Sequence, residues 1–238
     1  MDVNKVGVGQ SVAWIGCGWR IFMKKPGMWI VFSLVFFLMS LLMALPSVIP
    51  VLGDLVTALL NAVLYGGLFY TVYKVDSAGE LEIGNLFEGF RNHFGSLLGI
   101  GGVSILAIVL AVVLMLPLIM AREPSGFAIL LFVLALVGMF VAYMGLMFAT
   151  TLVVLNHVKV SVAIKTSFRG TFKNIFPVLV YSLMATVLML LLVVLTLGLG
   201  LLVAVPIFAG AQYCMYRSIF AAEPVSAPEE VTPDVLES

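Results

Sequence analysis

Charge is scarce in this sequence. Asp, Glu, Lys and Arg make up 10% of its 238 residues, against about a quarter in a soluble domain, whose surface must be solvated. Chemistry-bearing residues are equally few. The two cysteines, Cys17 and Cys214, have no CxxC context and fall on the side assigned below to the reducing cytoplasm, so neither a disulfide nor a zinc site is indicated. His93 and His157 are far apart in sequence and sit at span boundaries, which suits interfacial or capping histidines better than metal ligands. No GxSxG, HExxH or Gly-rich phosphate loop precedes a helix. These absences argue against an enzyme, a bound cofactor and a nucleic-acid partner.

What is abundant is apolar: 63% of the residues are hydrophobic and the mean hydropathy is +1.21, so lipid is the expected solvent. Because a charge costs a few kcal/mol at a helix centre, the charge-free intervals delimit spans. They run over residues 26–53, 55–73, 94–121, 124–156 and 174–216. The last, about 43 residues, would form a helix of about 65 Å, twice the roughly 30 Å hydrocarbon thickness. It must fold back, and Thr196-Leu197-Gly198-Leu199-Gly200 is the turn. Pro46 to Pro50 ends the first span, and Arg122 to Gly126 separates the third from the fourth. Six helical spans result, since lipid leaves backbone polar groups no other partner.

Loop charges orient them. Eleven basic residues fall on one side and only Arg122 on the other, which places both termini in the cytoplasm of a bacterial inner membrane by the positive-inside rule. Before the first, third and fifth spans stand three basic-aromatic segments: Trp19 to Pro26, Phe87 to Gly95, and Phe168 to Pro177. Aligning Phe22, Phe90 and Phe172 gives a repeated unit, an interfacial amphipathic helix followed by a two-span hairpin. The expected fold is therefore all-α, a polytopic transmembrane bundle of three such hairpins. Residues 1–26 form the cytoplasmic amphipathic helix, 27–220 the membrane domain, and 221–238 a disordered acidic tail with five acids, no base and three prolines.

Trp19, Arg20, Lys24, Lys25, Arg91, Lys165, Arg169 and Lys173 are candidates for phospholipid headgroups, although ordinary positive-inside connectors would carry the same residues. Asp76, Glu80, Glu82 and Glu88 weaken the middle segment for this role. Within the spans, Asn61 and Gln212 are candidates for a polar path, or for interhelical hydrogen bonds that pin neighbours together. No ionisable residue sits at mid-depth, which disfavours a charge-coupled pump. Gly138, Ala142, Gly145 and Ala149 form a small-residue stripe suited to close packing within the bundle or between protomers.

Four motifs carry a family resemblance: Gly18-Trp19 with Phe22 and Pro26, Leu86-Phe87-Glu88-Gly89-Phe90-Arg91, Ala163-Ile164-Lys165-Thr166-Ser167-Phe168-Arg169, and Asn174-Ile175-Phe176-Pro177. From about Trp14 to Phe220 the chain resembles a family of uncharacterised proteobacterial inner-membrane proteins. That family is distantly similar to YciC-type proteins and to the membrane domain attached to some glycerophosphoryl diester phosphodiesterases. The resemblance implies six inner-membrane spans and brings no catalytic residues. Three functional classes follow: a non-enzymatic scaffold, envelope-homeostasis or immunity-type protein that binds phospholipids, a membrane-protein partner or a second copy of itself; a channel or transporter for a small or lipidic substrate; and a membrane-embedded enzyme, which would need convergent polar groups that the sequence does not display.

Overall fold

The computed structural model describes residues 3–121, 123 and 125–220; Arg122 and the acidic segment 221–238 lie outside them. All regular structure among the described residues is helical. The elements are α1 (Gln10–Lys24), α2 (Pro26–Met43), α3 (Leu52–Ala78), α4 (Glu88–Asn92), α5 (Phe94–Met120), α6 (Gly126–Leu146), α7 (Ala149–Asn156), α8 (Val160–Lys173), α9 (Ile175–Leu195) and α10 (Leu201–Phe220), with short 3-10 turns at Leu45–Val48 and Ile83–Phe87. Pro26 opens α2, where a missing N–H removes no helical bond. The chain reverses between α9 and α10 through residues 196–200, with Leu197 and Gly198 at positive φ.

Among the described residues, five segments are long and apolar enough to cross a membrane: Pro26–Val48, Leu52–Ala78, Phe94–Met120, Gly126–Asn156 and Ile175–Leu195. Their outward faces carry large apolar side chains, such as Leu106, Ile119, Phe127, Leu183 and Leu195 at 68–78% exposure. A contiguous surface of that kind is untenable in water and is what lipid requires. The chain is an integral membrane protein. Its last helix, α10, is less apolar because Gln212, Tyr213, Tyr216, Arg217 and Ser218 interrupt it. It is instead the most enclosed, with Ala204, Ile207, Ala211, Met215 and Ile219 among its buried residues, and a helix surrounded by protein needs no apolar face for lipid.

The core sits at one end of the bundle, where α1, α4, α7 and α8 close over the long helices. Helix α7 is buried along most of its length, through Ala149, Thr151, Leu152, Val153 and Val154. The first described residues are held at the same end: the Asn4 N–H donates to the Ile219 carbonyl at 2.8 Å, the Asn174 amide donates to the Asn4 carbonyl at 2.8 Å, and its Oδ1 accepts from Val6 N–H at 2.8 Å. Asp76, in the last turns of α3, receives Lys24 at 3.3 Å and the Arg217 guanidinium, so one carboxylate joins the ends of α1, α3 and α10.

Helix α1 packs most closely on α10. A Cβ at Gly18 would overlap the backbone of Ile207 and Ala211, and one at Gly210 would meet the Gly18 Cα at 3.0 Å. The two glycines therefore allow helix-to-helix backbone contact. Trp14, Ile21 and Phe22 of α1 are buried, with the Trp14 indole N–H donating to Ser218 Oγ of α10 at 2.9 Å and its ring edge-on to Tyr181. Much of the apolar stripe expected to face lipid thus faces protein, leaving Trp19 and Met23, each 50% exposed, on the outside.

The same contact corrects the expectation for the cysteines. Cys17 and Cys214 form a disulfide between α1 and α10, with Cα atoms 6.4 Å apart. Their sequence separation of 197 residues and assumed compartment concealed a proximity that the Gly18–Gly210 crossing imposes. The middle basic-aromatic segment also differs from its counterparts. It is a 3-10 turn followed by the five-residue α4, seated on α3 because a Cβ at Gly67 would overlap the Leu86 backbone. Of the three aligned phenylalanines, Phe22 is buried, Phe90 is half-buried and Phe172 is exposed.

Candidate functional site

Between the long helices lies a cavity of about 1000 Å³ walled by residues of α2, α3, α5, α6, α7, α9 and α10. This is at the upper end of the range of small-molecule sites, about 300–1,000 Å³. Most of the wall is apolar, including Phe36, Phe69, Ile100, Met139, Met189 and Phe208. Its polar groups are Tyr65, Tyr143, Tyr181, Gln212 and four Ser or Thr hydroxyls, at Ser104, Thr150, Ser182 and Thr186; no charged residue lines it.

The cavity owes its shape partly to a break in the fourth apolar segment. The helix stops at Leu146 and restarts at Ala149. The Phe148 N–H donates to Ser167 Oγ at 3.1 Å, and the Gln212 side-chain amide donates to the Met147 carbonyl at 2.7 Å. Backbone freed inside a membrane protein persists only where protein or a cavity supplies partners, and here α8 and α10 supply them. Gly145 accommodates the Phe168 ring, which fills the position a Cβ would occupy. Of the small-residue stripe, Gly145 and Ala149 are buried in packing, Ala142 lines the cavity, and Gly138 has open space beside it.

The two candidates for a polar path separate. Gln212 is on the cavity wall. Asn61 is not; its side-chain amide donates to the Thr57 carbonyl of its own helix at 3.0 Å. The phenols were missed by sequence reasoning, which counted amides and carboxylates. Tyr143, in the interior of an apolar interval and away from its ends, was the available signal, because a tyrosine there is outside the usual interfacial belt.

The headgroup candidates all belong to elements at the closed end. Trp19, Arg20, Lys25, Arg91, Lys165 and Arg169 are exposed. Lys24 is held by Asp76 and by the Val75 and Asp76 carbonyls, and Lys173 donates to the Val3 carbonyl. His93 and His157, distant in sequence, stack with ring centroids 5.0 Å apart where α4 meets the end of α7. The His93 Nε2 is buried without a hydrogen-bond partner. Burial, followed by the neighbouring His157, lowers its pKa below the usual imidazole value, with Glu88 opposing. Among the described residues, no three His, Cys, Asp or Glu side chains converge in a way that could hold a metal ion.

No family model, curated protein or solved structure matches the chain. The uncharged cavity and the cationic closed end are the two features that the chain itself offers as a functional site.

Proposed function

We propose that this is a non-enzymatic lipid-binding protein of the bacterial inner membrane, in which the cavity holds a lipid and the exposed cations of the closed end contact phospholipid headgroups. The single observation that carries this reading is the large, apolar, uncharged cavity among helices whose outer faces suit lipid. Apolar walls favour hydrocarbon by removing it from competing environments and packing against it. We read the chain as six spans in three hairpins, with α10 as the sixth, both termini cytoplasmic, and α1, the α4 segment and α8 near the headgroup plane. The excess of basic residues at the closed end supports that orientation, and the resemblance drawn from the sequence motifs agrees with an inner-membrane location. An ion or solute path is less well supported, because Asn61 is off the cavity wall and nothing charged lines it.

The test is lipid retention. Protein purified in detergent and washed extensively is expected to keep about one lipid per chain. Ala142→Trp, which places an indole in the cavity, is expected to reduce this severalfold while leaving the melting profile and the detergent-solubilised mass unchanged. Equal and negligible lipid in both proteins would refute a lipid-binding cavity.

A further inference from the structure

The polar groups of the cavity are not all occupied. Ser104 Oγ, on α5, donates to the Ile100 carbonyl at 3.1 Å and Thr186 Oγ1, on α9, to the Ser182 carbonyl at 2.8 Å, the usual way a hydroxyl within a helix satisfies itself. Ser182 Oγ does not do this; it is buried without a partner and is closed off from the cavity space by its neighbours. Tyr65 and Tyr143 stand on the cavity wall at its open side, 48% and 64% exposed, and their hydroxyls have no hydrogen-bond partner among the described residues. Gln212 spends its amide N–H on Met147, which leaves its carbonyl oxygen as an acceptor on the cavity wall.

Donors and an acceptor left open among apolar helices, where lipid offers no hydrogen-bond partner, are costly unless a ligand completes them. A charged ligand would not be compensated there. The wall contains no Lys, Arg, His, Asp or Glu, and an ion moved out of water without a counter-charge is strongly disfavoured. Phosphate and ammonium headgroups therefore fit the exposed cationic end and not the cavity.

Building on the lipid-binding reading above, we propose that the cavity selects an electrically neutral lipid, a hydrocarbon body bearing carbonyl or hydroxyl oxygens. Its oxygens accept from Tyr65 and Tyr143, and any hydroxyl it carries donates to Gln212. Diacylglycerols and alkyl quinones share this chemistry. A lipid whose phosphate must enter with its chains does not.

Native mass spectrometry of the full chain in detergent, titrated separately with dioleoylglycerol, a decyl-chain benzoquinone and dioleoylphosphatidylglycerol, tests the proposal. At least one neutral probe is expected to bind at least tenfold more tightly than the phosphatidylglycerol. Its binding is expected to fall at least threefold in Tyr65→Phe combined with Tyr143→Phe, a pair that removes two hydroxyls with little change of shape, and to be lost in Ala142→Trp. Whichever neutral probe binds better identifies the source of the oxygens. Phosphatidylglycerol binding as tightly as the neutral probes, and blocked by Ala142→Trp, would overturn the neutral-lipid proposal while leaving the lipid-binding reading intact. Binding of all three that is indifferent to Ala142→Trp would overturn both.

Discussion

Gly18→Val is expected to be among the most destabilising single substitutions in the chain. A β-carbon at this position occupies the space of the Ile207 carbonyl and the Ala211 backbone, and backbone atoms, unlike the end of a flexible side chain, move only if the whole helix moves. Forced overpacking costs about 1–3 kcal/mol and occasionally more. Here the α1–α10 separation must increase, so the Trp14 hydrogen bond to Ser218 is lost with it. A marked fall in the midpoint of denaturant-induced unfolding in detergent is therefore expected. Gly16→Val is the control: it lies in the same helix, is exposed, and has nothing within 4 Å of its Cβ, so its effect should stay within about 0.5 kcal/mol. Equal effects of the two would mean that the crossing at Gly18 is not close.

The second large effect concerns the Cys17–Cys214 bond. A cross-link between residues 197 apart excludes many conformations of the unfolded chain, and native disulfides contribute typically about 2–4 kcal/mol. Oxidised wild-type protein should resist labelling by a mass-tagged maleimide until reduced, and then take two labels. Cys17→Ser should lower stability by that amount under oxidising conditions and leave the reduced protein nearly unchanged. Two free thiols in the oxidised, natively folded protein would refute the bond. Its cellular state has a separate interest, because the orientation proposed above puts this end in the cytoplasm, where disulfides are rare and mostly transient or redox-sensing. Trapping thiols in intact cells with acid and N-ethylmaleimide measures the oxidised fraction directly.

Much of the helix layout was legible because it follows from single-residue energetics. Charges expelled from the apolar phase bound the intervals that became α2, α3, α5, α6 with α7, and α9, and the chain turns at residues 196–200 because a single helix that long cannot fit a bilayer. Features that depend on adjacency in space were not legible. The α6–α7 break carries no proline or charge; it exists because Ser167 and Gln212, 19 and 65 residues away from their partners, complete the freed backbone groups. The disulfide was misjudged because compartment was weighed without knowledge of the α1–α10 contact. The cavity was hidden for a related reason. Tyr65, Tyr143 and Tyr181 come from three different helices, and only their convergence distinguishes a ligand-facing phenol from a belt residue. His93 and His157 were read as unconnected boundary residues, whereas the αL turn at His157 and the start of α5 bring their rings into a stack.

The proposed lipid inside the bundle is tested most directly by the density within the cavity of a structure determined in lipid nanodiscs. The cavity is predicted to contain an ordered, elongated molecule bounded by Phe36, Met139 and Met189, with an oxygen within hydrogen-bonding distance of Tyr65 or Tyr143 and no phosphate-sized feature on the wall. A cavity closed by inward movement of α5 and α6 against α9, with side chains filling the space and lipid only around the outside, would contradict it.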